Sequence, residues 1–239
     1  MSPIRAIRLP RAVAALAITV LASTVILASS PVGAAQVGLG TAESFAVLAG
    51  AGITNTGATT ITGDVGSFAT TSQTGFGPGA DSVILTGANH FGDSVTQGAK
   101  DDLVIAYDDA GGRLPETSVP VELGGTTKFA GNYTGGELGL TGTLTLDAQG
   151  NTDAMFVFKA ASTLITASNS RVLLINGADP CRVVWQVGSS ATFNTGTTFV
   201  GDVLALTDIS ALGGATFEGR LLARNGAVTL INNTIAANE

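Results

Sequence analysis

The chain has 239 residues, of which 18 are acidic and 11 are basic, giving a formal net charge of −7, and it contains 32 glycines. An acidic protein does not bind the phosphates of nucleic acids electrostatically, so nucleic acid is excluded as the expected partner. A single histidine and a single cysteine exclude a multi-histidine metal site and an internal disulfide.

The N-terminal segment has the organisation of a secretory signal peptide. Three arginines within the first eleven residues precede the apolar run AVAALAITVLASTVILA, and the small-residue stretch SSPVGAAQ follows it. Val32 and Ala34 occupy the small positions of a cleavage site, so residues 1–34 are predicted to be removed and the secreted chain to begin at Ala35. The alternative is an uncleaved membrane anchor, because this apolar run is close to the lower limit for a bilayer span. After cleavage, 8 basic and 18 acidic residues give a net charge of −10, and no later apolar run is long enough to span a membrane.

Residues 93–110, DSVTQGAKDDLVIAYDDA, form the one segment after the signal peptide with a helical pattern. The apolar residues that recur at helical spacing are Val95, Ala99, Leu103, Ala106, Tyr107 and Ala110. Asp93 is predicted to cap the N-terminus, and Gly111-Gly112 to end the helix. The aspartates of the segment are expected on the solvated face opposite the apolar stripe.

The C-terminal third contains an eighteen-residue repeat. Residues 198–201 (TFVG) are matched by residues 216–219 (TFEG), and residues 203–205 (VLA) by residues 221–223 (LLA). Eighteen residues accommodate three short strands and three tight turns, which make one coil of a three-sided β-solenoid. Such coils stack at about 4.7–4.9 Å through backbone hydrogen bonds.

Two faces of the predicted solenoid differ in their hydrophobic pattern. One face is apolar without alternation around Trp185, Leu204 and Leu222, so we expect the helix to cover it. The second face points the phenylalanine of each TFxG repeat inward and leaves Val200 and Glu218 outside.

The third face alternates between buried apolar and exposed hydroxyl side chains. The inward residues are Phe193, Ile209, Val228 and Leu230. The outward residues Thr192, Ser210 and Thr229 are then expected to line up in a file from coil to coil.

Four long phrases of the chain resemble the secreted microbial ice-binding proteins. The phrases are LGTAESFAVLAGAGITNTGATTITGDVG (39–66), GAKDDLVIAYDDAGGR (98–113), LTGTLTLDAQGNTDAMFVFKAASTLITASNSRVLLINGADPCRVVWQVGSSATFNTGTTFVGDVLAL (140–206) and GRLLARNGAVTLINNTI (219–235). The resemblance implies a mainly β fold, a three-sided right-handed discontinuous β-solenoid with one long α-helix alongside, forming a single domain over residues 35–239. In this family the first coils lead into the helix, and the C-terminal coils return to stack beside the N-terminal ones.

The resemblance also implies a flat ice-binding face, often associated with a Thr-(Ala/Gly)-x-(Thr/Asn) motif. The matching tetrapeptides are residues 56–59, 86–89, 166–169 and 195–198, whereas residues 141–144 fail at the last position. So short a motif arises easily in a chain rich in threonine and glycine, and each match fits a solenoid corner as well as an ice contact. The candidate ice-binding residues from the motif are Thr56, Thr59, Thr166, Asn169, Thr195 and Thr198.

The chain offers few groups for catalysis. With His90 as the sole histidine, neither a Ser-His-Asp triad nor a multi-histidine metal site can be assembled, so we expect no catalytic residue, no metal and no cofactor. His90 is expected at the turn that enters the helix. The enzymatic alternative is a solenoid polysaccharide lyase, which needs carboxylates grouped with basic residues. Asp64 and Asp202 occupy matching repeat positions, but no basic residue recurs beside them in the sequence.

These observations predict a secreted, non-catalytic monomer that adsorbs to ice and limits crystal growth or recrystallisation. We expect the file of Thr192, Ser210 and Thr229 to be the main ice surface and the motif residues to form its edge. The alternative is a secreted adhesin or cell-surface structural module on the same scaffold, which would carry exposed aromatic residues on the hydroxyl face.

Overall fold

The computed structural model describes residues 35–79 and 81–238, and the predicted signal peptide lies outside these residues. The first strands are β1 (Phe45–Ala49), β2 (Ile53–Thr56), β3 (Thr60–Thr62), β4 (Asp64–Ser67), β5 (Gln73–Thr74), β6 (Ile84–Thr86) and β7 (Asn89–Phe91), followed by the helix α1 (Ser94–Gly112). The strands after the helix are β8 (Glu116–Ser118), β9 (Thr127–Phe129), β10 (Gly131–Gly135), β11 (Leu138–Leu140), β12 (Thr143–Asp147), β13 (Phe156–Ala160), β14 (Leu164–Thr166), β15 (Arg171–Ile175), β16 (Val183–Val187), β17 (Ala191–Phe193), β18 (Thr198–Val200), β19 (Asp202–Ala205), β20 (Ile209–Ala211), β21 (Thr216–Glu218), β22 (Leu221–Ala223), β23 (Val228–Ile231) and β24 (Thr234–Ala236). Two short 3-10 helices span Gly40–Ser44 and Pro180–Arg182.

The strands form three sheets whose members pair in parallel, as expected for a three-sided solenoid. Sheet 1 has the order β7-β4-β1-β22-β19-β16-β13-β10-β8. Sheet 2 has the order β11-β14-β17-β20-β23-β2-β5, and sheet 3 the order β6-β3-β24-β21-β18-β15-β12-β9. Each complete coil gives one strand to each sheet, because the tight turns after each strand redirect the chain.

The solenoid is discontinuous along the chain. Strand β1 pairs with β22, β2 with β23 and β3 with β24, so the N-terminal coils stack on the last C-terminal coil. The chain must therefore cross from one end of the stack to the other between β7 and β8, and α1 occupies most of that connection. A helix of 19 residues rises about 28 Å, which is about six coil spacings.

Aromatic rings fill the interior. Phe158 stacks on Trp185 with ring centroids 4.2 Å apart, and Trp185 contacts Phe199 at 4.9 Å. Phe193 meets Phe217 edge to face at 5.0 Å. The predicted inward orientation of Phe193, Phe199 and Phe217 is confirmed, and the rings link successive coils into one core.

The predicted exposure of Val200 is wrong, because its side chain is only 6% exposed and belongs to the core cluster. Val200 is the last residue of β18, directly before a sharp turn at Gly201. The in-and-out alternation of side chains along a strand does not extend to a residue at which the backbone begins to turn. Glu218, at the register position next to Val200, is exposed as predicted.

Helix α1 covers the non-alternating face, as predicted for Leu204 and Leu222, whereas Trp185 points into the solenoid interior. The buried helix residues on this side are Ala99, Leu103, Ala106, Tyr107 and Ala110. They pack on residues of sheet 1, namely Val184, Leu204, Leu222, Phe45 and Leu48. Asp93 caps the helix by accepting a hydrogen bond from the Thr96 amide. Two details differ from the prediction: the helix continues through Gly112, and Val95 in the first turn is 43% exposed. In the described part of the chain, no helix is both long and apolar enough to cross a bilayer.

Buried polar contacts fix the position of α1 along the sheet. The Lys100 ammonium donates to the carbonyls of Ala223 and Arg224 at 2.5 and 2.6 Å, and burial lowers the pKa of Lys100 to about 8, with a smaller effect from the Arg224 charge. At the other end of the helix, the Lys159 ammonium donates to the Arg113 carbonyl at 2.7 Å and pairs with Glu116. The helix is therefore held at both ends by contacts that need one specific register.

The packing of α1 predicts a large difference between two substitutions on the same helix. Leu103→Asp should lower the free energy of unfolding by about 3 kcal/mol or more, because it places an unpaired carboxylate in a fully buried position. Ile105→Asp is the control, since Ile105 is 65% exposed, and it should change stability by no more than about 0.5 kcal/mol. Urea unfolding of the two variants measures both values. Equal stabilities would show that α1 does not pack on sheet 1 through this face.

Candidate functional site

Sheet 2 carries an outward file of hydroxyl side chains. Thr192 pairs in register with Ser210, Ser210 with Thr229, Thr229 with Thr54, and Thr54 with Thr74. These five residues are called the sheet 2 file. Sequence reasoning identified the first three but missed Thr54 and Thr74, which come from β2 and β5 on the other side of the chain discontinuity. The stacking implied by the family resemblance was the signal that could have found them.

The inward neighbours of the file explain its direction. Phe193, Ile209 and Val228, each adjacent in sequence to a file residue, are fully buried. Because side chains alternate along a strand, the hydroxyl residues must point outward. Thr54 and Thr74 are exposed, and the three C-terminal members are half-buried.

The strands of sheet 2 contain no charged residue in the described part of the chain. Asp208 directly precedes β20, and its carboxylate accepts a hydrogen bond from the Ala227 amide at 2.8 Å. Next to Thr192, in strand β14, the same register position is held by Ile165, which is exposed. The strands of this surface are therefore uncharged, and their outward side chains mix hydroxyl with methyl groups.

Three of the four motif matches lie at the corner between sheet 2 and sheet 3. Residues 166–169 and 195–198 occupy adjacent coils, and residues 56–59 occupy the same corner farther along the stack. Residues 86–89 lie at a different corner, between sheet 3 and sheet 1. The motif therefore identifies one corner of the solenoid rather than one flat face.

Two of the predicted ice contacts, Thr166 and Thr59, are fully buried, so their assignment to the ice surface is wrong. The Thr166 and Thr197 hydroxyls are hydrogen-bonded at 2.8 Å, and the Thr166 hydroxyl also accepts from the Asn194 amide at 3.1 Å. The Thr59 hydroxyl accepts from the Asn233 amide at 3.1 Å. These threonines point inward because the corner needs polar partners for its turning backbone.

The remaining motif residues Thr56, Asn169, Thr195 and Thr198 are exposed. Asn169 has a left-handed backbone (φ 58°), a conformation that asparagine adopts more readily than most residues. At Gly57 (φ 78°), a Cβ atom would lie 2.1 Å from the Asn232 carboxamide oxygen, which accepts from the Ala58 amide. Asparagine and glycine in this corner therefore serve the turn geometry.

The buried threonines of the corner and the hydroxyl residues of the sheet 2 file differ in whether their hydroxyls are hydrogen-bonded within the protein. Within residues 35–79 and 81–238, the side-chain hydroxyls of Thr166, Thr197 and Thr59 are hydrogen-bonded. In the same part of the chain no side-chain hydrogen bond involves the hydroxyls of the sheet 2 file, which are left for groups outside the protein.

His90 lies at the entry to α1 as predicted, with its ring nitrogens 3.4 Å from Asp64 and 3.1 Å from Asp93. Among the described residues, no group of three or more His, Cys, Asp or Glu could hold a metal ion.

Asp202 does have a basic neighbour, contrary to the expectation from the sequence, because Arg220 of the next coil lies 3.1 Å away. Both side chains are buried, and burial raises the pKa of Asp202 to about 6 although Arg220 opposes the shift. Arg220 also donates to the backbone carbonyls of Glu43 and Asn238, so the pair fastens the N-terminal segment to the last coil.

The two classes of threonine should respond differently to loss of the hydroxyl. Thr197→Val should lower the free energy of unfolding by about 1–3 kcal/mol, because it leaves the partners of a buried hydroxyl unsatisfied. Thr197→Ser keeps the hydroxyl and should restore most of that loss. Thr195→Val, two residues away and exposed, should change stability by no more than about 0.5 kcal/mol in the same urea titration. A Thr197→Val protein as stable as Thr195→Val would contradict the corner network.

Comparison with known proteins relates this arrangement to a family. A family model described as ice-binding-like matches residues 47–236. An ice-binding protein from Nostoc sp. (strain HG1) is 43% identical over 201 residues, which cover 83% of this chain and 73% of the relative.

Solved structures of similar proteins have the same fold. An ice-binding protein from an Antarctic biological consortium is 44% identical with a TM-score of 0.82, over 85% of this chain and 91% of the other. The ice-binding protein of the Antarctic ascomycete Antarctomyces psychrotrophicus is 39% identical with a TM-score of 0.81, over 86% of this chain and all of the other. The matched region spans most of the chain, and the chain belongs to the ice-binding-like family.

Proposed function

We propose that this chain is a secreted, non-catalytic protein that adsorbs to ice through sheet 2 and thereby limits crystal growth or recrystallisation. The observation that carries the proposal is the sheet 2 file, an in-register row of hydroxyl residues on strands without charge. Several relatives are named ice-binding proteins, which supports the same activity here.

The geometry of the file suits a lattice of water. Neighbouring coils repeat at about 4.7–4.9 Å, and alternate residues along a strand at about 6.6 Å. Each threonine offers a hydroxyl that can donate and accept hydrogen bonds and a methyl group that restricts the motion of nearby water. Waters ordered on such a grid can join the surface of an ice crystal without large rearrangement.

Because the sheet 2 file is rigid, its individually weak contacts with ice can act together. The file is part of a sheet hydrogen-bonded on both sides and supported by the buried Phe193, Ile209 and Val228. A surface already held in its bound geometry loses little entropy on adsorption.

The absence of charge on sheet 2 matters because a charged group holds its own water shell, and removing that shell is costly. By contrast, the half of sheet 3 made by β9, β12 and β15 is charged. It carries Asp147 and Arg171, and also the exposed Phe129. Sheet 2 contains no exposed aromatic residue in the described chain, and such residues on the hydroxyl face would have favoured the adhesin alternative.

The exposed motif residues border this surface. Thr56 ends β2, and Thr195, Thr198 and Asn169 lie at the corner that β14 and β17 enter. In the proposal these residues form the edge of the ice surface. Secretion as a monomer of residues 35–239 after removal of residues 1–34 belongs to the same proposal.

Substitution of one file residue should separate activity from folding. Thr192→Tyr should abolish inhibition of ice recrystallisation, because a ring projecting from the file, at its end next to Ile165, prevents close approach of the flat surface. The melting temperature should reflect a stability change within about 1 kcal/mol, since the position is outward-facing.

Thr145→Tyr is the matched control. Thr145 is also an outward, half-buried threonine, but it lies in the charged half of sheet 3 between Thr127 and Leu173. This variant should inhibit recrystallisation as the unmodified protein does. If Thr145→Tyr loses activity and Thr192→Tyr keeps it, the ice surface does not lie on sheet 2 and the proposal is wrong.

A further inference from the structure

Sheet 3 carries a second outward file that the sequence repeat only partly reveals. Thr198 pairs in register with Thr216, Thr216 with Thr234, and Thr234 with Thr60. These four residues, called the sheet 3 file, begin strands β18, β21, β24 and β3. As in sheet 2, the row runs across the chain discontinuity without a break.

The threonines of the sheet 3 file are directed to solvent. Phe199, Phe217, Ile235 and Ile61 follow them in sequence and are at most 2% exposed. Thr198, Thr216 and Thr234 are exposed and Thr60 is half-buried. In residues 35–79 and 81–238, their side-chain hydroxyls make no hydrogen bond, in contrast to the buried threonines of the adjoining corner.

The surroundings of the sheet 3 file are also poor in charge. Two residues further along these strands, β21, β24 and β3 hold Glu218, Ala236 and Thr62, and β18 holds Val200, which is buried. Glu218 is the one charged residue among the outward positions of β18, β21, β24 and β3 in the described chain. Arg171 of β15 pairs with Thr198 and marks the boundary with the charged half of the sheet.

The corner between the sheets holds both files in one register. The Gly196 amide donates to the Gly213 carbonyl, and the Gly214 amide to the Asn232 carbonyl, each at 3.1 Å. The Asn232 amide continues the ladder to the Thr56 carbonyl at 3.1 Å. The four coils that contain β17 and β18, β20 and β21, β23 and β24, and β2 and β3 therefore each add one residue to each file, and the two rows share the same repeat.

We propose that the sheet 3 file is a second ice-contacting surface, and that it engages ice planes of a different orientation from those bound by sheet 2. This inference rests on the proposed function. Its ligand is again the ordered water of an ice crystal, which the free hydroxyls and methyl groups of Thr198, Thr216, Thr234 and Thr60 can meet at the coil spacing.

Two orientations follow from the solenoid itself. Sheets 2 and 3 are different sides of a three-sided stack, so their outward normals differ, and a rigid protein cannot lay both on one flat crystal plane. Contact through both surfaces requires two sets of planes, or two protein molecules on two planes.

Adsorption of fluorescently tagged full-length secreted protein to a single-crystal ice hemisphere tests the proposal, because the labelled patches report which planes are bound. The unmodified protein should label two sets of planes. Thr216→Tyr should lose one set, and Thr192→Tyr should lose the other set. The double variant should label none.

Thr145→Tyr is the control for a bulky side chain elsewhere and should label both sets. Melting temperatures show whether each variant is folded, and if Thr216→Tyr is not, Thr234→Tyr in the next coil of the same file decides the result. A folded Thr216→Tyr or Thr234→Tyr protein that labels the same planes as the unmodified protein overturns the second surface while leaving the proposed function intact. An unmodified protein that labels no plane overturns the proposed function and this inference together.

Discussion

Parallel backbone hydrogen bonding between coils is the constraint on which the rest of the structure depends. It satisfies the polar groups of every strand that has a neighbour on each side, and it sets one repeat distance for all side chains above and below. Register pairs such as Thr192 with Ser210 or Thr198 with Thr216 follow directly from this pairing. Hydroxyl residues at equivalent positions of successive coils thereby line up in a row with the coil spacing. Such a row presents many weakly interacting groups at one regular distance.

The discontinuity of the chain imposes a second requirement, because both rows cross the seam between β23 and β2 or between β24 and β3. The seam is fastened by buried polar groups from distant parts of the chain. Arg220 pairs with Asp202 and holds the Glu43 carbonyl, and Lys100 of the helix donates to carbonyls at the end of β22. The helix and these contacts therefore keep the N-terminal coils aligned with the C-terminal ones, which continuity of either surface requires.

The eighteen-residue repeat and the alternation of Phe193, Ile209 and Val228 were sufficient to predict a three-sided solenoid, its helix-covered face and the outward direction of Thr192, Ser210 and Thr229. The repeat could not reveal Thr54, because its stack neighbour Thr229 is far away in the chain. The motif misassigned Thr166 and Thr59, since a short Thr-containing turn does not say which hydroxyl the backbone needs for itself. Asp202 and Arg220 are one repeat apart, so the repeat places them at matching positions of adjacent coils, although only the structure shows that their side chains pair.

The most direct measurement of the central claim follows a single ice crystal held just below its melting point in a solution of the purified secreted protein. A protein that adsorbs through a periodic, uncharged solenoid face restricts growth normal to the planes it covers. The crystal should therefore develop facets and stop growing until the solution is cooled further. A crystal that remains a smooth disc and grows at the rate seen in buffer would contradict the account.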